Sequence, residues 1–236
     1  MQQASPAHGA NPAGVKPRSL SLVHLIGEPL AGTGGAPPLL LLLHGVGSHE
    51  GDLIGLAPEL DGRFFVVSAR APNTLAPGAY AWFHVEFTQA GPVINPEEAE
   101  ASRVALLRFL DEAVDAYGLD PKRVFLMGFS QGAIMSLSLA LTRPDKLAGV
   151  VAMSGRILPE VLPLAAQSEA MPGLPILVVH GVDDPVLPIR HGRAARDRLS
   201  GLPVALTYRE YPMGHHVTTE SLRDVTAWLK ARLDGA

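Results

Sequence analysis

Short, continuously apolar segments recur along the chain, and they predict strands that are buried on both faces of a sheet. Residues 19–26 alternate loosely and predict an edge strand, whereas residues 204–211 predict a further, more polar strand. The central strands predicted from continuous apolar runs cover residues 39–43, 64–69, 124–129, 148–153 and 176–180.

Segments with helical spacing of apolar residues lie between these strands. The run Asn95-Pro96-Glu97-Glu98 is typical of a helix start, because Asn caps free N–H groups, Pro suits the first turn and acidic residues favour its positive end. Apolar residues recur at helical spacing over residues 104–117, and Gly118 predicts the end of this helix. Further helices are predicted over residues 131–142, 191–199 and 220–233.

Buried strands that alternate with helices predict an α/β fold, with a mostly parallel central sheet and helices on both of its faces. There is no repeat and no internal linker, so we predict a single domain over residues 19–236, without a large cap domain. Residues 1–18 are rich in Ala, Pro and Gly, and they predict a flexible N-terminal arm that lacks the apolar stretch of a signal peptide.

Composition and charge argue against several classes of function. The chain has 236 residues, 47% of them hydrophobic and 18% charged, which is typical of a globular protein with a large core. A formal net charge of −4 gives no electrostatic reason to expect a nucleic-acid partner or an anionic membrane, and the longest apolar run is too short for stable membrane insertion. Cysteine is absent, which excludes disulfides, thiolate metal sites and a cysteine nucleophile. A cytoplasmic location is the default expectation, and a homodimer is left open.

The segment Gly128-Phe129-Ser130-Gln131-Gly132 connects a predicted strand to a predicted helix. A serine in a Gly-x-Ser-x-Gly turn of this kind lies on a sharp, strained corner with an exposed hydroxyl, and a Cβ at either glycine would collide with the neighbouring strand or helix. The bare pattern is weak evidence, because a glycine-rich turn with an ordinary serine also produces it. The strand–helix context makes Ser130 a candidate nucleophile.

Acyl transfer by a serine also needs donors for the oxyanion. The loop His44-Gly45-Val46-Gly47 follows a central strand, where flanking glycines allow the backbone to approach a ligand. The N–H groups of Val46 and Gln131 are therefore candidates for an oxyanion hole, with a plain glycine turn as the alternative. We interpret His44 as a structural residue that anchors this loop.

A base and an orienting acid are expected from loops at the carboxyl ends of other strands. Asp184 precedes a proline, which restricts its backbone and favours it over Asp183 as the acid. His215 follows a glycine in the last loop and is the candidate base, with His216 as its competitor. A metal site at this histidine pair is disfavoured because no carboxylate lies at ligand spacing, and no cofactor is expected. The order serine, aspartate, histidine is that of α/β-hydrolases.

The chain resembles the phospholipase/carboxylesterase family of α/β-hydrolases, which includes small bacterial carboxylesterases and acyl-protein thioesterases. The resemblance covers about residues 39–233 and rests on His44-Gly45-Val46-Gly47, Gly128-Phe129-Ser130-Gln131-Gly132, His180-Gly181-Val182-Asp183-Asp184-Pro185-Val186-Leu187-Pro188 and Met213-Gly214-His215.

The resemblance implies an α/β-hydrolase fold and a role for each candidate residue. Ser130 is then the nucleophile, His215 the base and Asp184 the orienting acid, and the N–H groups of Val46 and Gln131 form the oxyanion hole. The family's thioesterases usually carry an acidic residue where this chain has Ser48, and residues 80–94 also differ from the eukaryotic thioesterases. Both departures favour a bacterial-type esterase.

The function predicted from these residues is that of a serine carboxylesterase, which hydrolyses short- to medium-chain carboxylic esters through an acyl-enzyme. An acyl thioesterase or a lysophospholipase with the same triad is the alternative, and a non-catalytic binding protein on a hydrolase scaffold is a third. Trp82 and Phe83 are predicted to bind substrate as a wall of the acyl pocket, with core packing as the competing interpretation. Residues 155–173 are predicted to form a small lid.

Overall fold

The strands of the central sheet occupy nearly the positions that the apolar pattern predicts. The computed structural model describes residues 16–30, 32, 34–88, 91–167, 171 and 173–235. Its strands are β1 (His24–Gly27), β2 (Leu39–Leu43), β3 (Phe65–Ala69), β4 (Asn73–Ala76), β5 (Ala79–Ala81), β6 (Val85–Thr88), β7 (Gly91–Ile94), β8 (Val124–Phe129), β9 (Gly149–Met153), β10 (Leu174–Gly181) and β11 (Val204–Tyr211).

Seven strands form one sheet in the order β1-β3-β2-β8-β9-β10-β11. Only β1, at one edge, runs antiparallel to its neighbour, and all the other pairs are parallel. The carboxyl ends of β2, β8, β9, β10 and β11 therefore lie at the same edge of the sheet. Loops that are distant in the sequence meet at this edge, which is where an open α/β sheet places its ligands.

The helices are α1 (Pro96–Tyr117), α2 (Gln131–Thr142), α3 (Arg190–Ser200) and α4 (Thr219–Asp234), with 3-10 turns at Leu53–Glu59, Pro144–Lys146 and Pro159–Leu164. The predicted start of α1 is confirmed, since the Asn95 side chain accepts a hydrogen bond from the N–H of Glu98. Gly118 ends this helix in a left-handed conformation with φ of 64°. Among the described helices, none is long and apolar enough to cross a membrane.

The core lies on both faces of the sheet, which explains why its central strands are apolar at every position. In β2, Leu39, Leu41 and Leu43 belong to one buried cluster, and Leu40 and Leu42 belong to the other. Each fully buried leucine contributes about 1.5–3 kcal/mol relative to an exposed one. Helix α2 is buried from residue 131 to residue 141, so the turn that precedes it is held in a rigid environment.

Some elements differ from the predictions. The edge strand begins at His24 rather than at residue 19, and β10 is longer at both ends than predicted. Two small hairpins, β4–β5 and β6–β7, were not predicted because their strands are short and lack a continuous apolar run. Most of the predicted N-terminal arm lies outside the described residues, and the N–H of Arg18 at its end donates to the Tyr117 hydroxyl at 2.9 Å.

Candidate active site

Ser130 lies on a strained backbone corner between β8 and α2. Its φ of 54° and ψ of −117° are rarely adopted by a residue with a side chain, and such a conformation costs about 1–3 kcal/mol. The N–H of Ser130 donates to the carbonyl oxygen of Met153 at 2.9 Å, and the N–H of Ile134 donates to the Ser130 carbonyl oxygen at 3.0 Å. These bonds to a neighbouring strand and to the first turn of α2 hold the corner in place.

The two glycines of this corner are required by close approach of the backbone. A Cβ on Gly132 would lie 1.8 Å from the carbonyl oxygen of Leu43, and a Cβ on Gly128 would lie 2.3 Å from the carbonyl carbon of Gly132. Both distances are far below any real contact, so the collision predicted from the sequence is confirmed. Helix α2 can therefore begin directly against the end of β2.

Ser130, His215 and Asp184 are joined by two hydrogen bonds. The Ser130 Oγ lies 2.9 Å from Nε2 of His215, and Nδ1 of His215 lies 2.7 Å from Oδ2 of Asp184. Because a carboxylate only accepts hydrogen bonds, Nδ1 carries the proton and Nε2 is left to accept the serine hydroxyl. The structure thus brings the three predicted residues together in the order that proton transfer from Ser130 requires.

Asp184 is fixed and kept ionised by its surroundings. Burial favours its neutral form, but hydrogen bonds from His215 and from the N–H groups of Leu187 and Val186 outweigh it and hold the pKa of Asp184 below its usual value. The two N–H groups donate to Oδ1 at 2.8 and 2.9 Å. The competing Asp183 and His216 are both exposed to solvent.

The loops that carry Asp184 and His215 pack directly against each other. A Cβ on Gly181 would lie 2.2 Å from the carbonyl oxygen of Met213, so only glycine allows this approach. The N–H of Asp183 donates to the same Met213 oxygen at 3.2 Å, and the N–H of Val182 donates to the Tyr211 oxygen at 2.9 Å. The aspartate–histidine distance is therefore set by the backbone.

His180 supports the turn that holds Asp184, a role that the sequence did not reveal. Its imidazole is fully buried, and Nε2 donates to the carbonyl oxygen of Leu187 at 2.7 Å. Leu187 in turn donates its N–H to Oδ1 of Asp184. The other ring nitrogen, Nδ1, has no hydrogen-bond partner in the described part of the chain. His180 thus links β10 to the backbone that orients the carboxylate.

Removing the His180 donor is expected to lower activity while leaving the fold in place. In His180→Leu the Leu187 carbonyl loses its partner, the turn at Asp184 loosens, and we expect kcat/KM for an aryl ester to fall about 10- to 100-fold. His180→Gln keeps an N–H donor near the position of Nε2 and is the matched control, with most of the activity retained. Equal loss in both variants, with unchanged far-UV circular dichroism, contradicts this role for the hydrogen bond.

The loop that carries Val46 contacts the Ser130 corner. A Cβ on Gly45 would lie 3.3 Å from the Ser130 Cβ, and the N–H of Gly47 donates to the carbonyl oxygen of Tyr80 at 2.8 Å. No acceptor among the described residues bonds to the N–H of Val46 or of Gln131, so both stay free for a ligand. This arrangement is consistent with the predicted pair of oxyanion donors, which remains a prediction.

His44 anchors the same loop, in agreement with the structural role predicted for it. Its side chain is fully buried, and burial holds its pKa below the usual value, so the ring is neutral. Nδ1 donates to the Gly45 carbonyl oxygen at 2.7 Å, and Nε2 accepts from the N–H of Ala71 at 3.1 Å. With both ring nitrogens engaged, His44 is not available as a base.

Trp82 and Phe83 do not offer a surface to a substrate. Their side chains are 0% and 1% exposed and belong to the main buried cluster, so the predicted acyl-pocket wall is replaced by the competing interpretation of core packing.

The backbone of Trp82 and Phe83 forms hydrogen bonds with the side chain of Gln131. The Gln131 side chain accepts from the N–H of Trp82 at 2.9 Å and donates to the Phe83 carbonyl oxygen at 2.6 Å, while the Trp82 indole donates to the His44 oxygen at 3.0 Å.

The predicted lid is only partly described, because residues 168–170 and 172 lie outside the described residues. The described part forms the 3-10 turn Pro159–Leu164, which contacts α2, and Leu158, Val161 and Met171 belong to the main buried cluster. A groove of about 590 Å³ lies between this turn and the start of α1. The side chains of Ser130, Asp184 and His215 do not line it. A lid over Ser130 stays a prediction.

A model of the phospholipase/carboxylesterase family matches residues 31–233. The chain belongs to this family. It is 31% identical over 162 residues to acyl-protein thioesterase 1 of Gibberella zeae, covering 64% of this chain and 68% of that protein. It is 29% identical over 217 residues to acyl-protein thioesterase 1 of Kluyveromyces lactis, covering 84% of this chain and 93% of that one.

Solved structures agree with this membership of the phospholipase/carboxylesterase family. The carboxylesterase of Bacillus cereus is 25% identical with a TM-score of 0.77, over 89% of this chain and 94% of that chain. Esterase PE8 is 28% identical with a TM-score of 0.77, over 90% of this chain and 99% of that chain. The predicted family and the predicted α/β-hydrolase fold are confirmed, and the chain is a hydrolase that acts on ester bonds.

Proposed function

We propose that the protein is a serine carboxylesterase that hydrolyses short- to medium-chain carboxylic esters through an acyl-enzyme intermediate. The observation that carries the proposal is the unbroken hydrogen-bonded chain from Ser130 Oγ through His215 to Asp184. Ionised Asp184 holds the imidazole with Nε2 facing the hydroxyl, and it stabilises the imidazolium that forms when His215 takes the proton.

In the proposed reaction, Ser130 Oγ attacks the ester carbonyl carbon and its proton passes to Nε2 of His215. The tetrahedral intermediate collapses as the bond to the leaving oxygen breaks, and His215 returns the proton to the departing alcohol. Water then attacks the acyl-enzyme, again with His215 as the base, and the acid product leaves as the proton returns to Ser130. The N–H groups of Val46 and Gln131 stabilise the oxyanion in both steps, a contribution of about 10²–10³ in rate for one donor.

The surroundings of the triad support a preference for short or medium acyl chains. Three valines in the loops that carry site residues are exposed: Val46 at 42%, in the loop against the Ser130 corner, and Val182 at 39% and Val186 at 47%, each two residues from Asp184. These small apolar surfaces suit a short chain. Ser130 does not line the groove beside α1, so this groove gives no support for a long chain bound next to the reacting serine.

A second candidate is an acyl thioesterase, which the names of the two fungal relatives favour. The same triad and oxyanion donors serve both reactions, because the acyl-enzyme is identical and only the leaving group differs. The two candidates therefore differ in the leaving group and in the acyl-chain length that they prefer.

Hydrolysis rates along a substrate series are expected to separate the two candidates. For p-nitrophenyl esters from acetate to palmitate, we expect kcat/KM to peak between butyrate and octanoate and to fall more than about 10-fold at palmitate, because the exposed valine surfaces near the triad match a short chain better than a long one. Palmitoyl-CoA hydrolysis, followed with a thiol reagent, is expected to be slower than that of butyrate ester. Faster turnover of the long thioester than of every short ester contradicts the proposal and favours the thioesterase.

A further inference from the structure

Arg156 is a half-buried cation that follows β9 near the proposed active site, and it has no partner within the described part of the chain. Burial lowers the pKa of its guanidinium, and the exposed Glu160 only partly opposes this effect. Among the described residues, none forms an ion pair or a hydrogen bond with Arg156, and none of its nitrogen atoms is sealed from solvent. Its guanidinium nitrogens therefore keep contact with solvent from a partly desolvated position.

The position of Arg156 in the fold places it beside the triad. It follows β9, which lies between β8, the strand that leads to Ser130, and β10, the strand that leads to Asp184. Met153, at the end of β9, accepts the N–H of Ser130 at 2.9 Å. A Cβ on Gly155 would lie 2.6 Å from the Cβ of Ala133, in the first turn of α2. The backbone that leads to Arg156 thus lies directly against the Ser130 corner.

His191 completes a pair of donors at this edge of the sheet. It lies in the first turn of α3, half-buried, and no hydrogen bond to its ring is formed within the described part of the chain. Burial, followed by the charges of Arg190 and Arg156, lowers its pKa, while Asp184 acts in the opposite direction. His191 follows the turn that holds Asp184, and β10, which leads to that turn, neighbours β9, which leads to Arg156. Arg156 and His191 are therefore carried by neighbouring loops at the same edge of the sheet. The ring is neutral at pH 7 and offers one N–H donor.

A guanidinium taken partly out of water gains most from a ligand that replaces the lost hydration with charge-assisted hydrogen bonds. Its planar fork matches a carboxylate with two parallel bonds. Arg156 and the exposed Arg190 carry two positive charges, and the exposed Glu160 offsets one of them, so the group balances one negative charge rather than the two of a phosphate dianion. The chemistry of the pair therefore selects a monoanionic carboxylate.

We propose that Arg156, with His191, forms a subsite for a carboxylate carried by the substrate, so that the preferred esters are half-esters of dicarboxylic acids. The inference rests on the proposed function, because the carboxylate is bound while the ester group of the same molecule reaches Ser130. Arg156 then acts as a specificity residue that orients the acyl chain, and the ionised end of the substrate replaces the apolar tail expected for a simple alkyl ester.

The test compares charged and neutral esters of similar length in wild-type protein and in Arg156 variants. Monoethyl succinate, glutarate and adipate are paired with ethyl butanoate, pentanoate and hexanoate, and hydrolysis is followed by pH-stat. We expect one half-ester of the series to exceed its neutral counterpart in kcat/KM by about 10- to 100-fold, the range of a hydrogen bond to a charged group. In Arg156→Gln this ratio is expected to fall to about 1, mainly through a rise in KM for the half-ester.

Two further variants make the result specific. Arg156→Lys keeps the positive charge but loses the planar guanidinium with its two parallel donors. We therefore expect its ratio of kcat/KM for the half-ester to kcat/KM for the neutral ester to lie between those of the wild type and Arg156→Gln. Arg193→Gln removes an exposed cation of α3 that is paired with Glu210, and it is expected to leave the ratio unchanged. If the wild-type protein hydrolyses neutral esters without preferring any half-ester, or if Arg156→Gln keeps the preference, the subsite is refuted and the esterase proposal stands. If no ester of either kind is hydrolysed, both proposals fall.

Discussion

Ser130→Ala is expected to reduce kcat/KM for p-nitrophenyl butyrate by about 10⁴- to 10⁶-fold, the range found when the nucleophile of a serine hydrolase is removed. The reason is that His215 then has no hydroxyl to deprotonate, and the oxyanion donors alone provide little turnover. The same substitution is expected to abolish covalent labelling by a fluorophosphonate probe, which reacts only with an activated serine. Labelling read on a gel and confirmed at Ser130 by peptide mass spectrometry tests both statements.

The fold of Ser130→Ala is expected to be intact. The hydroxyl forms its hydrogen bond with His215, whereas the bonds that hold the corner come from the backbone N–H and carbonyl oxygen of residue 130. Alanine keeps those backbone groups, so we expect the Tm to change by less than about 3 °C. A loss of activity that is accompanied by unfolding at the assay temperature does not support a chemical role for the hydroxyl.

Ser136→Ala is the matched control for the nucleophile experiment. Ser136 is fully buried on the same helix, and its hydroxyl donates to the Gly132 carbonyl oxygen at 2.8 Å, within one turn of the corner. Its removal is expected to leave probe labelling and kcat/KM within about 3-fold of the wild type, since its hydroxyl bonds to the helix backbone and not to Ser130, His215 or Asp184. Labelling that survives in Ser130→Ala, or disappears in Ser136→Ala, identifies a different nucleophile.

The sequence predicted the central sheet well because its strands are buried on both faces. Every position of β2 is apolar, so the apolar run ends where the strand ends, and the predicted bounds of 39–43 are the observed ones. Once the strands are known, the parallel order forces Ser130, Asp184 and His215 to one edge. The meeting of these side chains was therefore predictable from the pattern of strands and turns.

Side-chain environments were harder to predict, because they depend on contacts between distant segments. Trp82 and Phe83 lie in a loop between two elements, which gave no sign of their complete burial. The bonds from Gln131 that hold their backbone join residues 49 and 48 positions apart in the chain. His180 stood in a recognised motif, yet its role depends on the Leu187 carbonyl, which no side-chain pattern encodes.

Gly132→Ala is expected to be among the most destabilising single substitutions in the chain. Its Cβ would meet the backbone of residues 43 and 44, at 1.8 Å from the Leu43 oxygen and 2.9 Å from the His44 oxygen. Backbone cannot rotate away as a side chain can, so α2 must shift as a unit against the sheet. We expect a loss of at least about 3 kcal/mol in the free energy of unfolding, measured by urea denaturation.

Gly55→Ala separates this steric effect from the general consequences of replacing glycine. Gly55 lies in the 3-10 turn Leu53–Glu59, its φ is not positive, and nothing lies within 4 Å of the Cβ that alanine would add. Alanine at this position mainly reduces the conformational entropy of the unfolded chain, so we expect the free energy of unfolding to rise by about 0.4–1 kcal/mol. If both variants lose stability equally, the close approach of α2 to β2 is not what requires glycine at position 132. If Gly132→Ala is destabilising and Gly55→Ala is not, the Ser130 corner depends on a backbone contact between α2 and β2 that leaves no room for a side chain at position 132.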